Sequence, residues 1–249
     1  MSALDLLRPL IVAAGLLALW QAAVWLTGAP PFILPGPVAV AGVLADKAGL
    51  LAYHAAITGA EILLGLLLGT LFGGASALTL SAFRPARRWL MPVLVVSQAL
   101  PVFALAPLLT LWFGYGMASK VAMATLIIYF PVTSAFYDGL RRTELGWLDL
   151  ARTMGASKLS TLWRLRLPAA LPAFGSGLRV AAAVAPIGAV VGEWVGSSAG
   201  LGYLMLHANA RMQVSTVFAA LAVLAVLSLI LFFAVDRGVR RLTRWRPEA

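Results

Sequence analysis

The sequence predicts an all-α, polytopic membrane protein of six transmembrane helices with both termini in the cytoplasm, and three observations carry that prediction. First, 61% of the 249 residues are hydrophobic and only 11% are charged, whereas a soluble chain is about half apolar and about a quarter charged. Second, six apolar stretches, at about 10–26, 57–80, 89–113, 118–137, 171–195 and 214–235, approach the roughly 20 residues that a bilayer core demands. Third, Lys and Arg alternate by connection. Arg8, then Arg84, Arg87 and Arg88, then six residues between Arg141 and Arg166, then five between Arg237 and Arg246, make fifteen on one side. Lys47, Lys120 and Arg211 make three on the other, and Arg179 falls inside the fifth stretch. Basic residues stay cytoplasmic, so this bias sets the orientation.

The first stretch is long for a signal peptide, and Pro30-Pro31 follows it instead of a small-x-small cleavage site, so it reads as a retained helix. Pro30, Pro31, Pro35 and Pro37 forbid a continuous helix after it. Val38 to Leu51, with Asp46 and Lys47, reads as a short amphipathic helix at the interface. Gly65, Gly69 and Gly73 on the second span, and Gly188, Gly192, Gly196 and Gly200 along the fifth, recur every four residues. Such spacing lets helices approach closely where lipid removes the hydrophobic drive, and packing within one subunit is the preferred reading. Pro92, Pro101 and Pro107 in the third span, Pro131 in the fourth and Pro186 in the fifth are expected to kink their helices. Ser197 to Ala210 is too short to span and is expected to form a re-entrant or surface helix at the outer mouth.

The long connection, Gly139 to Ala170, is rich in both charge signs. Thr143 is placed to cap a helix starting near Glu144, and Leu150, Ala151 and Met154 give it an apolar face. Gly155 interrupts it, Ser157 caps a second short helix running to about Leu165, and Leu167-Pro168 is expected to stop that helix. A helix, a glycine bend and a second helix suit a docking knob better than a plain solvated loop.

Net charge of +10 does not indicate nucleic acid, because a nucleic-acid binder carries its charge on a water-soluble face. With no Cys, thiolate metal sites, disulfides and Cys nucleophiles are excluded. Lys47, Lys120 and Lys158 follow Asp46, Ser119 and Ser157, so no Gly-Lys-Ser/Thr phosphate loop exists in this chain. His54 and His207 read as structural, no metal-ligand spacing is present, and no residue is assigned as catalytic. Glu61 and Glu193 fall near the outer ends of their spans. A wet interface or a polar cavity is the preferred reading for both carboxylates, over a proton relay. Polar positions inside the spans give the candidate path: Ser97, Gln98, Thr110, Tyr129, Thr133, Ser134 and Ser176, together with Arg179 and Glu193. Arg179 reads either as a snorkelling anchor or as a contact at the cytoplasmic gate or between two chains.

Asp149-Leu150-Ala151-Arg152-Thr153-Met154-Gly155, then nine residues, then Leu165-Arg166-Leu167-Pro168, resembles the EAA loop of ABC importer permeases. Ala151, Gly155, Leu167 and Pro168 match that pattern, while Asp149, Leu150 and Leu165 stand in for Glu, Ala and Ile. Pro35-Gly36-Pro37, Leu111-Trp112-Phe113-Gly114 and Gly200-Leu201-Gly202-Tyr203 are similar to the branch importing nitrate, sulfonates, taurine and thiamine-related pyrimidines. Tyr129-Phe130-Pro131-Val132-Thr133 and Gly192-Glu193-Trp194-Val195-Gly196-Ser197-Ser198 look most like permeases for hydroxymethylpyrimidine.

The resemblance implies a single permease domain over 1–249 of the type I importer fold, in the bacterial inner membrane, with a coupling loop at about 141–168. It implies a second permease copy, two copies of a separate ATPase that uses ATP and Mg, and a periplasmic solute-binding protein, with no cofactor held by this chain. The coupling residues it points to are Glu144, Asp149, Ala151, Gly155, Ala156, Leu165, Leu167 and Pro168. A sulfonate, taurine or nitrate importer is the runner-up; a secondary transporter, a channel or a membrane-anchored scaffold are the readings from other classes.

Overall fold

A computed structural model of the chain describes residues 3–99 and 101–245; they form helices joined by turns, with no strand among them. Arg246 lies outside the described residues. In order the helices are α1 (Ala3–Thr27), α2 (Pro37–Asp46), α3 (Ala48–Ala82), α4 (Arg84–Ala99), α5 (Ala106–Phe113), α6 (Met117–Arg141), α7 (Leu145–Thr153), α8 (Lys158–Thr161), α9 (Leu167–Gly196), α10 (Leu201–Ala210) and α11 (Val214–Leu242). Four segments are long and apolar enough to cross a bilayer: Ala48–Ala82, Met117–Arg141, Lys158–Gly196 and Val214–Leu242.

The centre is a three-helix core of α3, α6 and α9, built on glycine. A Cβ on Gly65 of α3 would stand 2.4 Å from the Ala124 Cβ, and one on Gly188 of α9 would stand 2.8 Å from the Ala124 Cα. Ala124 of α6 is thus pressed from both sides. Gly69 meets Ile128 at 2.6 Å and Gly177 meets Ala135 at 2.7 Å, one turn or more further along. The four-residue glycine spacing therefore serves packing inside one subunit. Dispersion at close range replaces the hydrophobic drive that lipid lacks.

Three expectations needed correction. The third predicted span is not one helix: α4 ends at Ala99, a 3-10 turn covers Val102–Leu105, and α5 follows. Pro101 and Pro107 each lack an N–H and crowd the preceding turn, and together they divide a stretch that hydropathy reads as continuous. The amphipathic helix expected to reach Leu51 ends at Asp46, and α3 begins at Ala48, nine residues before the predicted start at 57. Lys47 occupies the break, and its Nζ donates to Gln213 Oε1 at 3.3 Å and Thr216 Oγ1 at 3.0 Å. That tertiary anchor leaves no local signature. Finally, Leu167-Pro168 does not stop a helix. α8 passes through a π turn (Leu162–Arg166) straight into α9, where Pro168 sits in the first turn and its missing N–H costs nothing.

Candidate functional site

At one end of the core the connection between α6 and α9 forms a compact ledge. Leu148 and Leu162 are buried and hold it down, Leu162 among Leu80, Tyr137 and Leu140. α7 closes with a cap that accounts for three of the expected coupling residues at once. Gly155 has φ +72°, its N–H donates to the Arg152 carbonyl at 2.9 Å, and the Ala156 N–H donates to the Ala151 carbonyl at 2.9 Å. This is the Schellman arrangement, with glycine in the left-handed position and a small apolar pair, Ala151 and Ala156, across the bend. Ser157 then starts α8, its Oγ accepting from the Ser160 N–H at 3.2 Å. Thr143 does not cap α7; its hydroxyl donates back to the Leu140 carbonyl at 3.4 Å, and Glu144 holds the cap position with no side-chain bond.

The outward surface of this ledge is apolar. Leu145, Trp147, Leu150, Met154, Leu159 and Trp163 are all more than half exposed, Met154 by 77%. Asp149 pairs with Arg152 at 2.7 Å in the open, and Glu144 is exposed. Leu165, Leu167 and Pro168 are half-buried at the root where the ledge joins α9. The eight expected coupling residues thus divide into bend, rim and root. The exposed Leu, Trp and Met side chains between them, of which only Leu150 and Met154 stood out in sequence, form the face. An exposed apolar patch of this kind belongs to a protein or membrane contact surface.

At the opposite end, α10 is seated by side chains from α3 and α9. Its leading N–H groups have no helical acceptors, and each finds one elsewhere. Gly200 donates to His54 Nδ1 at 2.9 Å, Leu201 to Thr58 Oγ1 at 2.8 Å, and Gly202 and Tyr203 to Glu193 Oε2 at 2.5 and 3.3 Å. Thr58 in turn donates to Glu193 Oε1 at 2.6 Å. The carboxyl of Glu61 lies against that of Glu193. Lys120, near both, donates to the Tyr115 and Gly116 carbonyls at 2.7 and 2.9 Å. His54, Thr58, Glu61, Lys120 and Glu193 are all buried. Thr58 carried no sequence signal, because a threonine in an apolar run looks like any other.

Of the nine residues expected along a path, those whose side chains are described occupy several places, and Thr110 donates within its helix to the Ala106 carbonyl at 3.0 Å. Tyr129 donates to Ser76 Oγ at 2.8 Å, and buried Thr133 donates to the Tyr129 carbonyl at 2.7 Å. Arg179 bonds Asp236 of α11 through Nε at 2.7 Å, and Arg240 bonds the other oxygen of the same carboxylate. Glu193 belongs to the seat of α10. The side chains of Ser97 and Gln98 lie outside the described residues. Two of the nine, Ser134 and Ser176, share the wall of an open cleft of about 580 Å³ along α6 and α9.

The family model described as the binding-protein-dependent transport system inner membrane component matches residues 62–244, which hold the core, the ledge and all of α10. The chain belongs to that family. A probable ABC transporter permease protein of Haemophilus influenzae is 61% identical over 93% of this chain and 94% of its own length. The formylaminopyrimidine transport permease ThiX of Halalkalibacterium halodurans is 37% identical over 97% of each. The taurine transport permease TauC of Escherichia coli is 30% identical over 94% of this chain and 88% of its own. The permease fold is also that of the MetNI methionine ABC transporter in an inward-facing conformation, with a TM-score of 0.69 at 20% identity, covering 80% of this chain and 99% of that one. The molecule is a multi-pass ABC importer permease.

Proposed function

We propose that this permease carries an uncharged pyrimidine of the thiamine-precursor type across the bacterial inner membrane, as a homodimer served by two ATPase subunits and a periplasmic binding protein. The ledge of α7 and α8 is the ATPase seat, and its exposed apolar face is the observation that carries the reading. Both termini and the ledge lie in the cytoplasm, six segments cross the bilayer, and α10 faces outward. ATP and Mg are used on the partner, since this chain has no phosphate loop. Movement of the ledge passes through the π turn into α9 without a flexible joint, so α9 is the lever that alternates access between the two sides.

Likeness to ThiX supports the pyrimidine, and likeness to TauC supports the competing sulfonate reading. Uptake decides between them. Cells whose own pyrimidine and taurine uptake has been deleted should accumulate labelled hydroxymethylpyrimidine or formylaminopyrimidine when this permease is supplied with its ATPase and binding protein. Accumulation of taurine in place of the pyrimidine would reject the assignment.

A further inference from the structure

Accepting the pyrimidine reading, we propose that the cleft between α6 and α9 is where this chain contacts its solute, and that it selects flat, uncharged heteroaromatic rings against anions. Leu126, Ile127, Phe130 and Ser134 of α6 face Ser176 and Val180 of α9 across the cleft. Its volume of about 580 Å³ is that of a small-molecule site.

The composition separates this face from the faces that meet lipid. α3 exposes Leu63, Leu67, Leu71 and Phe72, and α11 exposes Val226, Leu229, Ile230 and Phe233. α9 exposes Ser176, Val180, Ala183 and Ile187 at helical spacing. Two hydroxyls, Ser134 and Ser176, gathered on one concave and otherwise apolar surface are not what hydrocarbon selects.

Three kinds of group in the wall suit an aromatic ring with amino or hydroxyl substituents. Phe130 offers a ring face. Ser134 and Ser176 offer hydroxyls, the latter now donating within its helix to the Pro172 carbonyl at 3.2 Å. Pro131 has no N–H to give the carbonyl of Ile127, four residues earlier, and both residues line the cleft. Among the described residues no cationic side chain lines the cleft. Arg179, adjacent in sequence to Val180, turns away to Asp236 of α11. A sulfonate would have to shed its water here against no compensating charge, which is prohibitive in a low-dielectric wall.

The chain has no cysteine, so a single introduced thiol reports its own surroundings. In vesicles holding the complete transporter, Ser134→Cys and Ser176→Cys should react with a membrane-impermeant thiol reagent. Leu67→Cys on the outer face of α3 should react only with a lipid-soluble one. Hydroxymethylpyrimidine should protect both cleft thiols; at ten times its dissociation constant, simple occupancy slows labelling about elevenfold. Taurine at the same concentration should not. Phe130→Leu, which keeps apolar volume and loses the ring face, should slow pyrimidine uptake by up to about tenfold. Labelling of both serine positions only by the lipid-soluble reagent would overturn the site. Protection by taurine as strong as that by the pyrimidine, or no protection by the pyrimidine, would overturn the selectivity. Failure of the unsubstituted transporter to take up the pyrimidine rejects the substrate reading separately, because water access to the two thiols needs no solute.

Discussion

Gly155 and Glu193 show how single residues set both ends of the molecule. Gly155 sits at φ +72° with nothing within 4 Å of where a Cβ would lie, so replacing it tests conformation alone. Asn tolerates the left-handed region, Ala pays roughly 1–2 kcal/mol, and Pro cannot reach it and loses the N–H bond to Arg152. Uptake should therefore fall in the order Gly155→Asn, Gly155→Ala, Gly155→Pro, and equal uptake by all three would remove the bend from the mechanism. Gly155 was legible in sequence because the constraint is local. Glu193 was legible only as a costly carboxylate in a span, since its partners are 9 and 135 residues away. Its two oxygens accept from Thr58, Gly202 and Tyr203, and Glu193→Gln turns an amide donor toward one of those donors. Leaving such a buried group unmatched costs about 1–3 kcal/mol. Hydrogen exchange of the α10 amides, Leu201 to Ala210, should then speed up by about tenfold or more relative to α11. Unchanged exchange would show that α10 is held by packing and not by this carboxylate.

Helices were predicted well where one property decides them and poorly where two compete. The second, fourth, fifth and sixth apolar stretches became α3, α6, α9 and α11, because 18 or more apolar residues have no other stable form in lipid. The third fails because hydropathy averages over Pro101 and Pro107, and α3 starts early because Lys47 finds Gln213, just before α11, and Thr216 in its first turn. Glycine spacing was legible as a packing signal, and the structure shows which helix fills each gap. Ala124 lies between Gly65 and Gly188, so the three-helix core has one tightest point. Gly65→Val should overpack it by about 1–3 kcal/mol and lower the melting temperature in detergent. Adding Ala124→Gly should recover part of the loss, because it removes the methyl in collision. Absence of any recovery would mean that α3 and α6 do not approach there as closely as the geometry requires.

Across the whole molecule, polar groups are concentrated at two ends of an apolar body, and the ends differ in finish. At the α10 end the leading helix donors close on side-chain acceptors, while one oxygen of buried Glu61 is left without a hydrogen-bond partner. The ledge end closes the C-terminal bend of α7 with backbone bonds and leaves its surface apolar, with Leu150 and Met154 exposed beside the Asp149–Arg152 pair. A surface that holds apolar groups in water gains from a partner that covers them. Each of Leu150 and Met154 is worth about 1.5–3 kcal/mol when fully buried. Leu150→Asp and Met154→Asp together should therefore weaken ATPase association by at least about a hundredfold. The permease itself should keep its detergent melting temperature, because neither side chain contributes to the buried core. Co-purification reads the first quantity and a thermal melt the second. Retained ATPase in the doubly substituted protein would reject the ledge as the seat. Lost ATPase with a lowered melting temperature would show that the ledge holds the fold together and does not simply present a face.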